Sequence, residues 1–337
     1  MTKPRILTVI LNYRTPDLTV RAAEAAVREM RGLGGEVVIV DSASGDGSFD
    51  IILGKAEKEG WTKEGVLRVV QSPENGGFGA GNNFGMRLGM SSGAVPDFFY
   101  ILNSDAWPDP GAVEKLLDVM KAEPRAGLVG SYIKGTDGVP HCTVFRFPSA
   151  SGEFEGAART GFFTKLFKSS VVPLEIPTRT TQVDWVAGAS VLMRREMLDE
   201  IGLFDETFFL YYEETELCRR AARAGWQTFY VPASEVAHVG SASTSMKSWA
   251  RTPGYWFESR FYYFTKVHGR AYAIWATLAR LAGCCIYGVR RLLTGKPQRD
   301  PPGFSRDLLS HFLAALVSRG PSRRDVSLAR PMTEDSK

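Results

Sequence analysis

Short unbroken apolar runs, each closed by polar or turn-forming residues, punctuate the first 240 positions of this chain. Residues 6–11 (ILTVIL), 36–40 (EVVIV), 67–71 (LRVVQ) and 98–102 (FFYIL) read as strands buried on both faces, since a half-solvated strand would alternate polar and apolar positions. Between the first two the spacing changes. Leu18, Ala22, Ala25 and Ala26 recur with helical period across 17–30. A glycine-rich loop at 75–85 (NGGFGAGNNFG) feeds a helix towards Met90, and a helix at 111–121 leads to a strand at 127–130. Strands alternating with helices build right-handed βαβ crossovers, so the fold class is α/β: a doubly wound, mostly parallel sheet with helices on both faces.

The pattern loosens over 135–177, a stretch rich in Gly, Ser and Phe with no strong period. Loops of that length in compact domains are functional or mobile, which assigns this one to acceptor binding or a lid. Order returns at 183–193, a tight backbone stretch entering a strand, followed by a helix at 194–201. An aromatic run, Phe208-Phe209-Leu210-Tyr211-Tyr212, then delivers Glu213 and Glu214 to the start of another helix, in which Glu216 can pair with Arg219 or Arg220. A strand at 226–231 precedes His238.

Candidate chemistry sits where the apolar runs stop. Open α/β sheets bind ligands beyond the carboxyl ends of their strands. The 98–102 strand runs into Asn103-Ser104-Asp105 before Trp107-Pro108 stops it. Asp105 is placed to hold a divalent cation against a diphosphate, although Asn103 and Asp105 also suit an Asx turn. Asp41, at the end of the second strand, suits a hydrogen bond to a pyrimidine base packed beside Tyr13, or a cap for the next helix. Glu213 and Glu214 suit the helix dipole, while one of them can face a cleft as general base. His238 is one of four histidines, structural or a metal ligand.

Several classes are excluded. The first strand ends in Asn12-Tyr13-Arg14, without the GxGxxG of a dinucleotide site, and no GxxxxGK[ST] occurs. A net charge of +4 is too small to argue for nucleic acid. Cys142, Cys218, Cys284 and Cys285 show no CxxC spacing, which speaks against zinc or a disulfide framework and for a reducing cytoplasm. The N-terminus reads as lacking a signal peptide, and the apolar stretch 271–293 is interrupted by Arg280, Arg290 and Arg291, so no spanning helix is expected. Basic residues and aromatics interleave from Lys247 to Arg330, as in helices that rest on an inner-membrane surface, cap a domain or make a homodimer contact.

Taken jointly, Leu11-Asn12-Tyr13, the Asp41–Ser48 loop, the glycine cluster, Asn103-Ser104-Asp105, Trp185-Val186-Ala187-Gly188-Ala189, Tyr212-Glu213-Glu214 and His238 resemble inverting family 2 glycosyltransferases of the GT-A fold. The likeness is to their bacterial rhamnosyltransferase-like branch and spans about Ile6 to Gly240, with a weaker echo over 260–269. It implies a GT-A catalytic domain over 1–245, its nucleotide-sugar half at about 1–132 and its acceptor half at about 133–245. An amphipathic helical region would follow at 246–295, then a linker, a short helix and a disordered tail over 296–337. Leu11, Tyr13, Asp41, Asn82, Asn83, Asn103, Ser104 and Asp105 would bind the nucleotide sugar. Asp105 and His238 would hold Mg or Mn, Trp185, Gly188 and Glu213 would meet the acceptor, and Glu214 would be the base. The donor implied is a dTDP- or UDP-sugar, with dTDP-rhamnose in the lead, and the acceptor a glycan or polyprenyl-linked glycan. Two departures stand out: Asn103 replaces the first carboxylate of the DxD motif, and Glu214 stands where aspartate is usual. The competing readings are a nucleotidyltransferase, which would need a basic Gly-rich loop after the first strand, and a non-catalytic scaffold, which would not need Asp41, Asp105 and Glu214.

Overall fold

The computed structural model describes residues 3–240 and 249–318. Strands β1 (Ile6–Asn12), β2 (Glu36–Asp41), β3 (Leu67–Gln71) and β4 (Phe98–Asn103) lie in the order 3-2-1-4, all parallel. Beyond β4 the sheet continues with β5 (Ala106–Pro108), β6 (Ala126–Lys134), β8 (Thr181–Val183), β10 (Ser190–Arg194) and β11 (Gln227–His238) in the full order 3-2-1-4-10-6-11-5, with β8 against β11. β10 is antiparallel to both β4 and β6, and β5 and β8 are antiparallel to β11, so the sheet is mixed while most of its strands share one direction. β7 (Val144–Phe145) and β9 (Trp185–Val186) form a separate ribbon.

Helices α1 (Pro16–Leu33), α2 (Ser48–Lys58), α3 (Gly77–Arg87) and α4 (Ala112–Ala122) connect the parallel strands. Ile6, Ile10, Tyr100 and Leu102 pack with Ala22, Met30, Val113 and Leu117 on one face. Leu7, Val9, Phe99 and Ile101 pack with Met86, Leu198 and Phe204 on the other. Burial on both faces is why these strands read as continuous apolar runs rather than alternating ones.

Three expectations change. The glycine cluster is not a loop but the body of α3. A Cβ at Gly81 would sit 2.4 Å from Leu11 Cδ1 and one at Gly85 2.6 Å from Val9 Cγ1, so these glycines let the helix close onto β1. The 135–177 stretch is largely ordered: β7, α5 (Ala150–Ala158) and α6 (Gly161–Leu166) fall within it. Its small residues hid a helix that packs by close approach, for a Cβ at Gly283 would lie 2.5 Å from Phe154 O and 2.8 Å from Ala157 Cβ. Trp107 and Pro108 do not simply stop a strand. They form the edge strand β5, where proline is tolerated because its missing N–H faces no partner.

Helices α7 (Arg195–Ile201) and α8 (Glu213–Arg223) precede the C-terminal α9 (Gly254–His268), α10 (Arg270–Thr294) and α11 (Phe304–Val317). α9 and α10 share a third apolar cluster with Ala150 and Phe208. Arg260, 1% exposed, binds Glu153 Oε2 at 2.8 Å and Thr277 Oγ1 at 3.0 Å, and Arg280 reaches the same carboxylate oxygen at 3.1 Å. Burial pushes the Glu153 carboxyl up, but the two guanidinium charges bring it below the ordinary range. This region is therefore built into the catalytic half rather than hung from it. α10 is also long and apolar enough to cross a membrane by length and composition, contrary to expectation, because its arginines lie mostly at its ends. The boundary expected at 245 and the tail beyond 318 lie outside the described residues.

Since Gly85 abuts both Val9 and Val40, Gly85→Ala overpacks the α3–sheet contact. Denaturant unfolding is expected to show a loss of about 1–3 kcal/mol.

Candidate active site

The parallel strands finish level with one another: Asn12 pairs with Asp41, and Leu11 with Asn103. β1 is the strand at which the sheet order reverses, between β2 and β4, the topological switch point where open α/β sheets take ligands. Just past β4, Asp105 Oδ1 stands 2.9 Å from His238 Nε2, brought there by the last residue of β11 pairing with Ala106 of β5. Asp105 Oδ2 accepts from the Gly240 amide at 3.1 Å, and Asn103 Nδ2 lies 3.4 Å from the same imidazole nitrogen. Both Asp105 and His238 retain some exposure at the sheet edge.

Asn103 also donates its backbone N–H to Ala189 O at 3.0 Å. That bond ties the strand tip to the Ala187-Gly188-Ala189 stretch, and a Cβ on Gly188 would lie 4.0 Å from Glu214 Oε1. The 187–189 backbone thus borders the β4 tip at one end and Glu214 at the other. Glu213 and Glu214 open α8 directly after Tyr211 and Tyr212, whose φ values of 69° and 72° place both in the left-handed region. Bulky side chains rarely adopt that conformation, at a cost of about 1–3 kcal/mol each, and such strain collects at functional sites. The preceding residues are pinned from α3: Phe78 N–H donates to Phe209 O at 3.0 Å, and Gly77, at φ +87°, passes so close that any Cβ would overlap that carbonyl.

Oε2 of Glu213 and Oε2 of Glu214 are both buried without a hydrogen-bond partner. Burial, then the neighbouring Glu214 charge, holds the Glu213 carboxyl well above the ordinary range. Burial also raises Glu214, offset in part by backbone amides including that of Gly188. Of the pair, Glu214 is the one that borders Gly188.

Other expected residues are placed differently. Asp41 is fully buried and its hydrogen-bonding capacity is spent within the protein: Oδ1 accepts from Asn12 Nδ2 at 2.7 Å and Ser44 Oγ at 2.6 Å, and Oδ2 from Ser44 N at 3.1 Å and Gln71 Nε2 at 3.0 Å. These bonds lock the β1 and β2 tips together. Asn83 clamps Phe204, through both its N–H and its carbonyl, and Glu206, while Asn82 Nδ2 donates to Phe78 O. Both asparagines are fully buried, and Asn82 Oδ1 has no hydrogen-bond partner. Ser104 shares a 3.3 Å hydrogen bond with Thr15 across the switch point, and Leu11 rests against α3. Tyr13 is half-buried under Arg14, and Trp185 stacks on Phe145 at 4.1 Å.

The model of the family described as glycosyl transferase family 2 matches residues 8–202. The chain belongs to this family. An N-acetylglucosaminyl-diphospho-decaprenol L-rhamnosyltransferase of Mycobacterium tuberculosis is 32% identical over 190 residues, covering 53% of this chain and 60% of that protein. A low-salt glycan biosynthesis hexosyltransferase of Haloferax volcanii is 24% identical over 191 residues, covering 56% and 53%. The chain thus aligns with little more than half the length of these relatives. Among solved structures, a mannosyltransferase from Pyrobaculum calidifontis in complex with GDP-Man and Mn2+ superposes with a TM-score of 0.56 at 17% identity, covering 95% of this chain and 82% of that one. The fold is GT-A-like, and the protein is a family 2 glycosyltransferase.

In this glycosyltransferase, Glu214 and His238 lie beyond the segment that the family model matches. The residues that sequence reasoning missed also lie there, on α9. Tyr255, Ser259, Tyr262 and Lys266 recur at spacings of 4, 3 and 4, one face of a helix, and that face meets the segment entering α8. The spacing was the available signal, obscured by the neighbouring aromatics of the same run.

Because the folded state disfavours ionised Glu213, folding raises its pKa, and stability falls as pH rises from about 4.5 towards the folded value. Glu213→Gln removes that cost. Its melting temperature is expected to exceed that of the parent at pH 8, with the gap narrowing towards pH 4.5. A lower melting temperature throughout would show that the carboxyl makes a contact that the amide cannot.

Proposed function

We propose that this glycosyltransferase moves a sugar from a nucleoside diphosphate donor to an acceptor hydroxyl with inversion, Asp105 and His238 serving the leaving diphosphate and Glu214 serving the acceptor. The observation that supports this reading is the short backbone link from Asn103 through Ala189 and Gly188 towards Glu214, which relates the strand tip beside the Asp105–His238 pair to a buried carboxyl with a raised pKa.

A divalent cation suits the pair chemically. Among the described residues no group of three or more His, Cys, Asp or Glu is arranged to hold a metal, so a closed protein cage is not the fit. One carboxylate oxygen and one imidazole nitrogen 2.9 Å apart do suit Mg or Mn that takes its remaining ligands from diphosphate and water. Bound there, such an ion would offset the negative charge that develops on the departing diphosphate. The protein's own groups do the rest. Asp105 is held by the Gly240 amide, and Asn103, neutral where a second carboxylate might stand, keeps the charge at the tip to that of one aspartate. Glu214 takes the acceptor proton as the oxygen attacks from the opposite face, and one displacement inverts the anomeric centre. The apolar walls supplied by Phe78 and Phe204 limit water near that carboxylate.

Similarity to the rhamnosyltransferase favours dTDP-rhamnose as donor and a polyprenyl diphosphate-linked glycan as acceptor. A lipid-linked acceptor would suit a protein that works from the cytoplasm on the inner-membrane surface. α10 supports this: Trp275 is 62% and Leu292 82% exposed, the helix carries no acidic residue, and Arg290, Arg291, Lys296 and Arg299 cluster at its end. Such a face suits an anionic bilayer surface.

Glu214→Gln is expected to lower kcat by about 10²–10⁴-fold with nucleotide affinity retained. Asp105→Asn is expected to weaken Mn-dependent binding of dTDP or UDP, read by calorimetry without any turnover. Since Glu214 must be ionised to act and its pKa is raised, the acid limb of kcat against pH is expected above the ordinary glutamate value of 4.5. Full transfer by a folded Asp105→Asn, Glu214→Gln double variant would end this reading.

Trp275→Asp with Leu292→Asp should abolish co-sedimentation with vesicles containing phosphatidylglycerol and leave nucleotide binding intact. If the parent does not sediment with them but forms a dimer that the substitutions disrupt, the face is a protein contact instead.

A further inference from the structure

Every residue of the segment that leads into α8 is met by α9. Phe208 packs on Tyr262 with ring centroids 4.8 Å apart, Phe209 on Tyr255 at 5.5 Å, and Tyr212 on Tyr263 at 5.3 Å. Tyr211 stacks on Tyr255 at 6.2 Å, and Ser259 Oγ donates to Leu210 O at 2.9 Å. The two ends of the segment are joined by a single ammonium. Lys266 Nζ lies 2.5 Å from Asp205 Oδ2, ahead of the aromatic run, and 2.7 Å from Glu216 Oε1, one residue beyond Thr215 on α8. Tyr262 donates its hydroxyl to Asp205 Oδ2 at 2.8 Å, and Arg220 clasps both oxygens of Glu216 at 2.9 Å while donating to Leu203 O at 2.6 Å. All the acidic members are nearly buried, so the network is shielded from the solvent screening that weakens surface pairs.

A segment with two consecutive left-handed tyrosines does not hold that shape unaided. We infer that Lys266, with Tyr262 and Ser259, forms a positioning clamp that sets the Glu214 carboxylate: α9 closes the Asp205–Glu216 segment into a fixed arc and so aims the base at the acceptor. This rests on the reading of Glu214 as the base. None of the three residues touches the reacting atoms. They act through the backbone of the arc, whereas Asp105 and His238 are held by β5 and β11. The clamp therefore affects one half of the site.

The clamp is tested in the full-length protein with Lys266→Met, Lys266→Arg, Tyr262→Phe and Glu214→Gln, assayed for kcat, donor KM and Mn-dependent affinity for dTDP or UDP. A displacement of about 1 Å is enough to cost on the order of 100-fold in rate, so Lys266→Met is expected to lower kcat ten- to a hundredfold. Donor KM and nucleotide affinity should stay within about twofold. Lys266→Arg, which can still bridge two carboxylates, is expected to recover most of kcat, and Tyr262→Phe, which removes one hydroxyl, to lose severalfold. Should Lys266→Met fail to fold, the same split in Tyr262→Phe carries the test. Unchanged kcat in Lys266→Met or Tyr262→Phe beside an inactive Glu214→Gln overturns the clamp alone. So does a fall in nucleotide affinity that matches the fall in kcat, which marks general loosening of the fold. Full turnover by Glu214→Gln overturns the base assignment itself, and the clamp falls with it.

Discussion

Two carboxyl groups buried side by side at the start of a helix are an unfavourable arrangement, and much of the second half of this glycosyltransferase is organised around maintaining it. Desolvation and mutual repulsion both oppose ionisation of Glu213 and Glu214. The positive end of the α8 dipole offsets part of that opposition, and the backbone at Gly188 offsets more on Glu214 alone. The two carboxyls occupy consecutive positions, yet only Glu214 borders the Gly188 backbone, so their surroundings differ.

The opposite wall of the cleft is held by different means. Sheet register places the tips of β1, β2 and β4 level, and buried hydrogen bonds keep them there: Asn12 to Asp41, Asp41 to Gln71, and Thr15 to Ser104. Asp105 and His238 then depend on β5 pairing with the end of β11, a contact between residues more than a hundred positions apart in sequence. The Asp105–His238 pair is thus set by strand pairing, and the start of α8 by a helix face pressing on a strained segment. A backbone hydrogen bond from Asn103 to Ala189 ties the β4 tip to the stretch that borders Glu214.

Much of this was legible in the chain. Continuous apolar runs identified the four parallel strands because both sheet faces are covered, and the acidic residues at their ends marked the cleft side. The errors have physical causes. Glycines in α3 were taken for a loop because glycine lowers helix propensity, yet here their missing side chains are what allow α3 to touch β1. At the end of β2, nothing local reveals that Asn12, Ser44 and Gln71 converge on Asp41. The helix α5 was hidden for a similar reason: Gly, Ala and Ser carry little periodic signal, although they are what a tightly packed helix pair requires. The antiparallel insertion of β10 could not be foreseen either, since strand direction is a property of the whole chain path.

The division between the matched family segment and the remainder has a structural counterpart. Residues 8–202 contain β2 to β4, Asp105 and the Gly188 backbone, whereas Glu214, His238 and α9 come afterwards. The Asp105–His238 pair therefore joins a residue inside the matched segment to one beyond it. The α5–α10 packing and the buried pairing of Glu153 with Arg260 and Arg280 anchor α9 from behind, so the helix face that meets the segment entering α8 is itself held by close packing and buried charge.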